Sequence, residues 1–327
     1  MSTNRTLQGA RREKNDEFYT RRSDIENEIK HYKKHFKGKV VYCNCDDPEV
    51  SCFYIYFKAL FAELGLKKLI ASCYKSDNPK LRSRHNSKHG YVIEYDGTGR
   101  KRPKKLKGDG DFRNLESIEL LKQADIVVTN PPFSLFRTYV AQLVEHNKQF
   151  LIIGNLNAIT YKEIFQLLKT NKIWLGNKPI GADMLFNVPK SFAAHLQKTK
   201  KEGSGYKIIE GEIKGRAPAI WFTNIDHKKR NVDLELYKEY KRNKKDYRVY
   251  DNYDAIEIGK VSDIPCDYKG LMGVPISFMD KYNPKQFELL GIDRVLTKEK
   301  TGKVSRFRMD GKELFARVII RNKRIGV

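Results

Sequence analysis

The stretch Asp125-Ile126-Val127-Val128-Thr129-Asn130-Pro131-Pro132-Phe133 restricts the fold more than any other part of the chain. Its β-branched run reads as a buried strand ending at Asn130. The two prolines fix φ and withhold their N–H groups, so a rigid, exposed loop with outward carbonyls is expected. In open α/β sheets, ligands bind outside the carboxyl ends of strands, where this loop falls. Asn130 adds a side-chain carbonyl, and Phe133 a flat apolar face. Two acceptors for an exocyclic amine and a ring to stack a base are the parts needed to hold an aromatic amine. A plain turn after a strand is the alternative, because Asn-Pro is a common turn initiator.

Strand and helix patterns alternate around this element. Ser23 and Glu26 have capping-box spacing, and Ile25, Ile29, Tyr32 and Phe36 recur on one helical face. Strands are expected at 39–43, 68–73, 125–129, 150–153 and 172–175. Helices are expected at 50–64, 115–123, 134–146 and 160–170. This alternation specifies an α/β fold with a parallel sheet covered on both faces. Ala219 to Thr223 is strand-like and is expected to return antiparallel. Residues 177–217 read as irregular. Residues 75–107 carry eleven Lys and Arg against three acids and read as a basic insertion, with a hairpin near Tyr91 to Tyr95. Residues 1–22 read as a basic arm, 23–226 as one α/β domain and 227–327 as a basic region.

At 327 residues, one large domain or two are expected. Lys and Arg total 64 against 40 acids, a net charge of +24. Such an excess suggests a polyanionic partner, most simply nucleic acid. A membrane surface is the rival, but no long apolar run or lipidation signal is present. The N-terminus has no apolar core of a secretory signal. Five cysteines, an odd number, fit reduced thiols in a cytoplasm. Cys43, Cys45 and Cys52 lie close together, but zinc sites use four ligands at tighter spacing, so no metal is expected and these cysteines line a core or pocket.

Two acidic loops point to the cofactor. After the first strand come Cys43-Asn44-Cys45-Asp46-Asp47-Pro48, with no glycine-rich turn to approach a pyrophosphate. Asp46 and Asp47 would repel phosphates and attract a cationic ligand. S-adenosylmethionine, with its ammonium and sulfonium groups, is such a ligand. Capping of the next helix is the alternative for this pair. Asp109 and Asp111 sit in a second acidic loop. A carboxylate there can accept from the adenine amine of the cofactor while Phe112 packs on its ring; an Asx turn is the alternative. Phe18, Tyr19 and Thr20 are candidates to close over the methionine end, although core packing explains them equally well.

The chain resembles the EcoRI-type adenine-N6 DNA methyltransferases. Asn130-Pro131-Pro132-Phe133 matches the amino-methyltransferase signature Asn/Asp-Pro-Pro-Tyr/Phe, which RNA base methyltransferases and protein glutamine methyltransferases also carry. The more specific likeness lies in Asp16 to Thr20, Val40 to Pro48, Leu69 to Tyr74, Gly108 to Phe112, Asp125 to Phe136, Met272 to Ile276 and Asn283-Pro284. It covers nearly the whole chain and is weakest at 75–107 and 177–217. It implies a Rossmann-like class I S-adenosylmethionine-dependent sheet, with the motif order of the gamma group and a target-recognition region at 227–327. It further implies catalytic roles for Asn130, Pro131, Pro132 and Phe133, and cofactor contacts from Phe18, Tyr19, Thr20, Cys43, Asn44, Cys45, Asp46, Asp47, Asp109, Asp111 and Phe112. Double-stranded DNA is the expected partner and a monomer the expected form, perhaps the simplest for one methyl transfer to one strand. Ser72-Cys73-Tyr74 stands where the wider class has an acid for the ribose, so ribose contacts are not assigned. An RNA base methyltransferase and a non-catalytic nucleic-acid binder remain open alternatives. A nuclease is disfavoured because no strand-borne metal cluster stands out.

Overall fold

The computed structural model describes residues 19–45, 47–48, 51–74, 90–99, 102–182, 184–188 and 190–324. Phe18, Asp46, most of the 1–22 arm and part of the 75–107 insertion lie outside the described residues. In chain order the first elements are β1 (Tyr19–Thr20), α1 (Arg22–Ile29), β2 (Val40–Cys43), α2 (Cys52–Ala59), β3 (Lys68–Cys73), β4 (Tyr91–Tyr95) and β5 (Lys104–Lys105). Then come α3 (Leu115–Gln123), β6 (Ile126–Thr129), α4 (Phe136–Glu145), β7 (Gln149–Asn155), α5 (Lys162–Lys169) and β8 (Trp174–Leu175). They are followed by β9 (Met184–Asn187), α6 (Lys190–Thr199), β10 (Tyr206–Ile209), β11 (Glu212–Ala217) and β12 (Ala219–Thr223). The remainder holds β13 (Val249–Tyr250), β14 (Tyr253–Glu257), β15 (Met272–Pro275), β16 (Phe287–Ile292), α7 (Asp293–Thr301), β17 (Arg308–Met309), β18 (Lys312–Glu313) and β19 (Arg317–Asn322). The chain divides into two compact units: residues 1–156, 176–178 and 182–225, and residues 157–175, 179–181 and 226–327.

In the first unit, four parallel strands lie in the order β3-β2-β6-β7. Every residue of β2 and β6 is buried, as a central parallel strand covered on both faces requires. Asp125 does not extend β6; its carboxylate accepts the Val40 N–H at 2.8 Å and ties the start of β2. The sheet is mixed rather than wholly parallel. β12 runs antiparallel to β7, as expected, and β4 and β5 continue antiparallel beyond β3. Tyr91, Val92 and Ile93 are buried, so this part of the basic insertion belongs to the main sheet.

The irregular reading of 177–217 is corrected. β9, β10 and β11 join β1 in a four-stranded antiparallel sheet, and α6 lies between β9 and β10 in sequence. The β10–β11 hairpin turns on Glu210 and Gly211, both at positive φ, as a two-residue turn of this hand demands. Helix starts also differ. Ser23 lies inside α1, whose cap residue Arg21 makes no side-chain capping bond. Ser51, not the Asp46-Asp47 pair, caps α2 by accepting the Phe53 N–H at 3.1 Å.

The core is aromatic. Ile25, Ile29, Tyr32 and Phe36 are all fully buried, with Phe36 edge-on to Phe57 at 5.2 Å and Phe53 edge-on to Trp221 at 6.1 Å. Phe133 packs against this cluster from the loop after β6.

The second unit holds a five-stranded sheet in the order β13-β14-β15-β19-β16. α5 and α7 pack on β16. Tyr250, Ala255, Phe307 and Ile319 form its buried cluster. No helix among the described residues is long and apolar enough to cross a membrane.

Candidate active site

The carboxyl ends of β2, β3 and β6 converge on one edge of the first unit. Asn130 follows β6 and is half-buried, with its side-chain oxygen shielded from solvent. Pro131 is buried and Pro132 and Phe133 are half-buried, so the loop is less exposed than the sequence suggests. Nor do all its carbonyls face outward. The Pro132 carbonyl accepts the Leu135 N–H at 3.0 Å and starts a single 3₁₀ turn, Phe133–Leu135, that leads into α4. The prolines therefore set the exit angle of the strand and feed a helix directly.

Asn44, at the end of β2, joins this loop to the rest of the site. Its main-chain oxygen accepts the hydroxyl of Thr129, the residue before Asn130. Its side-chain oxygen accepts the hydroxyl of Tyr139 on α4. Tyr139 is fully buried, and burial holds its phenol well above the ordinary value, so it stays a donor. The Tyr139 ring lies edge-on to Phe112 at 5.0 Å, and Gln142 donates to the Phe112 carbonyl at 3.0 Å. A chain of contacts thus runs from Asn130's strand through Asn44 and Tyr139 to the second acidic loop.

That loop is held by close backbone approach. Gly110 has φ +80°, and a Cβ there would meet the Cys73 carbonyl oxygen at 2.2 Å. The strand end of β3 and loop 108–112 therefore touch through main chain, which only glycine permits. Gly90, preceding β4, donates to the Gly108 carbonyl at 3.2 Å. Tyr91 then donates its hydroxyl to Asp47 in the loop after β2. Asp47, Asp109 and Asp111 are brought to one edge by these links.

The acids are partly engaged. Asp109 accepts the Asp111 N–H at 3.0 Å and the Asn114 amide at 2.6 Å. Asp111 accepts the Arg113 N–H at 2.9 Å and both arms of the Arg113 guanidinium at 2.8 and 2.6 Å. Both are Asx turns. The Arg113 guanidinium holds the Asp111 carboxyl below its usual range. Phe112 is buried against Tyr139, with the Arg113 guanidinium 5.5 Å from its ring centre.

Cys43 is buried, while Cys45 is half-buried at φ +57°, a conformation uncommon for a non-glycine residue. Cys52 is half-buried at the start of α2. Among the described residues no group of His, Cys, Asp or Glu is placed to hold a metal ion. Thr20 pairs across from Phe186, which lies in the buried cluster that Phe133 packs against. Its hydroxyl is buried with no hydrogen-bond partner among the described residues. Tyr19 pairs with Asn187 through the backbone. Tyr91, Tyr139, Asn114 and Arg113 were not legible as site residues, since only tertiary contact brings them to the loops.

The family model described as adenine-specific methyltransferase EcoRI matches residues 6–323. The chain is 46% identical to Type II methyltransferase M.EcoRI of Escherichia coli, across 99% of this chain and 98% of that protein. It is 40% identical to Type II methyltransferase M.MgeORF184P of Mycoplasma genitalium, across 97% of this chain and 98% of that protein. Identity to Type II methyltransferase M.MpnI of Mycoplasma pneumoniae is 42%, across 86% of this chain and 83% of that protein. No solved structure matches the chain.

Proposed function

The chain belongs to the EcoRI adenine-specific methyltransferase family, enzymes of the type II restriction–modification kind, and from that premise we propose how its site works. The first unit is a Rossmann-like class I methyltransferase sheet that modifies N6 of an adenine extruded from duplex DNA. Residues 23–226 carry catalysis, the 1–22 arm closes over the cofactor, and the basic region 227–327 recognises the target. The protein works as a cytoplasmic monomer.

The donor set fits S-adenosylmethionine. Three carboxylates meet at one sheet edge, which suits a cation, and no glycine-rich turn offers N–H groups to a pyrophosphate. Asp46, Asp47, Asp109 and Asp111 would hold its charged and amine groups, with Phe18, Tyr19 and Thr20 on the closing side. Cys43, Asn44, Cys45 and Phe112 would form the wall. When bound, this cofactor supplies a methyl carbon on a sulfonium.

The chain's own residues prepare the nucleophile. Extruding an adenine costs a few kcal/mol in stacking and pairing. Phe133 stacks on the base and offsets about 1–3 kcal/mol of that cost. The Asn130 side-chain oxygen and the Pro131 carbonyl accept the two amine hydrogens. Two acceptors so placed draw the nitrogen out of conjugation with the ring and concentrate its lone pair on one face. They also stabilise the positive charge that develops there, because they are fixed before the reaction begins. Proton loss follows transfer, so no general base is required.

The observation that carries this reading is the bonded link from Asn130's strand through Asn44 and Tyr139 to the acidic loop. Incubation with methyl-labelled S-adenosylmethionine and duplex DNA should label adenine. Label on RNA alone would overturn the substrate assignment. Sequencing modified bases in a host expressing the chain gives the target word.

A further inference from the structure

We propose that Phe315 is a wedge whose ring inserts into the base stack of duplex DNA; this rests on the reading above that duplex DNA is the substrate. Phe315 lies in the link between β18 and β19 and is 88% exposed. Its exposure does not come from a loose segment. On one side, the Leu314 N–H donates to the Phe307 carbonyl at 2.9 Å, and Leu314 packs on the cluster of Tyr250, Ala255, Phe307 and Ile319. The Phe307 ring is itself stacked between Tyr250 and Tyr253, at 4.6 and 4.8 Å.

On the other side, Arg317 is buried and donates through Nη1 to the Phe315 carbonyl at 3.4 Å. Its Nε and Nη2 bind the Glu257 carboxylate at 3.0 and 2.6 Å, and Glu257 also accepts the Tyr250 hydroxyl. A buried ion pair thus fixes the main chain that carries the exposed ring. The preceding β17–β18 hairpin turns tightly on Asp310 and Gly311, both at positive φ, and Asp310 is bound by Arg248.

The surroundings select the occupant. Lys312 and Lys303 are exposed nearby in sequence, and the acids of the hairpin are engaged, Asp310 by Arg248 and Glu313 by Arg308. A single apolar ring among cations is too small for a protein-binding patch. It matches the edge of a base step, which offers a flat apolar face between phosphates. Insertion there replaces stacking that the duplex loses when a base leaves it, so Phe315 acts as a positioning residue for extrusion.

Single-turnover methylation by Phe315→Ala and Phe315→Trp tests the proposal, on an intact duplex carrying the target word and on the same duplex with an abasic site opposite the target adenine. Phe315→Ala should lose about tenfold or more on the intact duplex. It should approach the wild-type rate on the abasic duplex, where the pairing is already broken. Phe315→Trp should retain activity on both, and S-adenosylmethionine binding and melting temperature should match wild type. Undiminished transfer to intact duplex by Phe315→Ala, or an equal loss on both substrates, overturns the wedge. Wild-type transfer to duplex adenine is the separate control: its absence defeats the substrate assignment and the wedge with it.

Discussion

Asp111 shows how a single residue can serve two readings at once. Its carboxylate closes an Asx turn and is clasped by the Arg113 guanidinium, yet it stands at the edge where a cationic cofactor would lie. The clasp lowers its pKa, so its stabilising contribution is complete above the ordinary carboxylate range and is lost as pH falls through the lowered folded value. Arg113 is half-exposed, which keeps that contribution small. Carboxyl-carbon NMR is therefore the sensitive measurement. Asp111 should titrate below the usual range in wild type and return to it in Arg113→Ala. Unchanged titration in the variant would remove the guanidinium as the cause. The capping alternative fails for Asp47, because Ser51 caps the helix and Tyr91 takes the Asp47 carboxylate.

Among elements, the link between β2, β6 and α4 governs the site. Tyr139 donates a buried hydroxyl to Asn44, and Thr129 donates to the same residue's main chain. Tyr139→Phe leaves the Asn44 acceptor buried without that donor, which should cost about 1–3 kcal/mol in denaturant unfolding. Cofactor affinity by calorimetry should fall, because the loop after β2 loses its brace. Much of this layout could be read from sequence. The apolar β-branched runs located β2, β3, β6 and β7 within a residue or two, and Ile25, Ile29, Tyr32 and Phe36 were all core. The sheet of β1, β9, β11 and β10 could not be read, because its strands are short and its Glu210-Gly211 turn lacks the usual Asn-Gly signal. The placement of β4 was also hidden, since its buried Tyr91, Val92 and Ile93 lie in a strongly basic stretch. The tetrapeptide was found, but the inward Pro132 carbonyl was not, because a 3₁₀ turn follows from tertiary packing rather than from proline itself.

At the scale of the whole molecule, the net charge of +24 must be discounted for internal pairing. In the second unit, Arg317 is bound to Glu257, Arg306 to Asp293, Lys229 to Asp280 and Arg324 to Asp233. These cations brace the fold, and the remaining excess is what a polyanion would meet. DNA affinity should fall linearly on a logarithmic scale with salt, with a slope of about −0.9 per phosphate neutralised. A salt-independent affinity in filter binding would contradict a phosphate-contacting surface. The central claim concerns the loop after β6, and Asn130→Ala tests it most directly. Single-turnover transfer to the target duplex should drop about 10²–10³-fold while S-adenosylmethionine binding and melting temperature hold. Turnover equal to wild type would contradict the account.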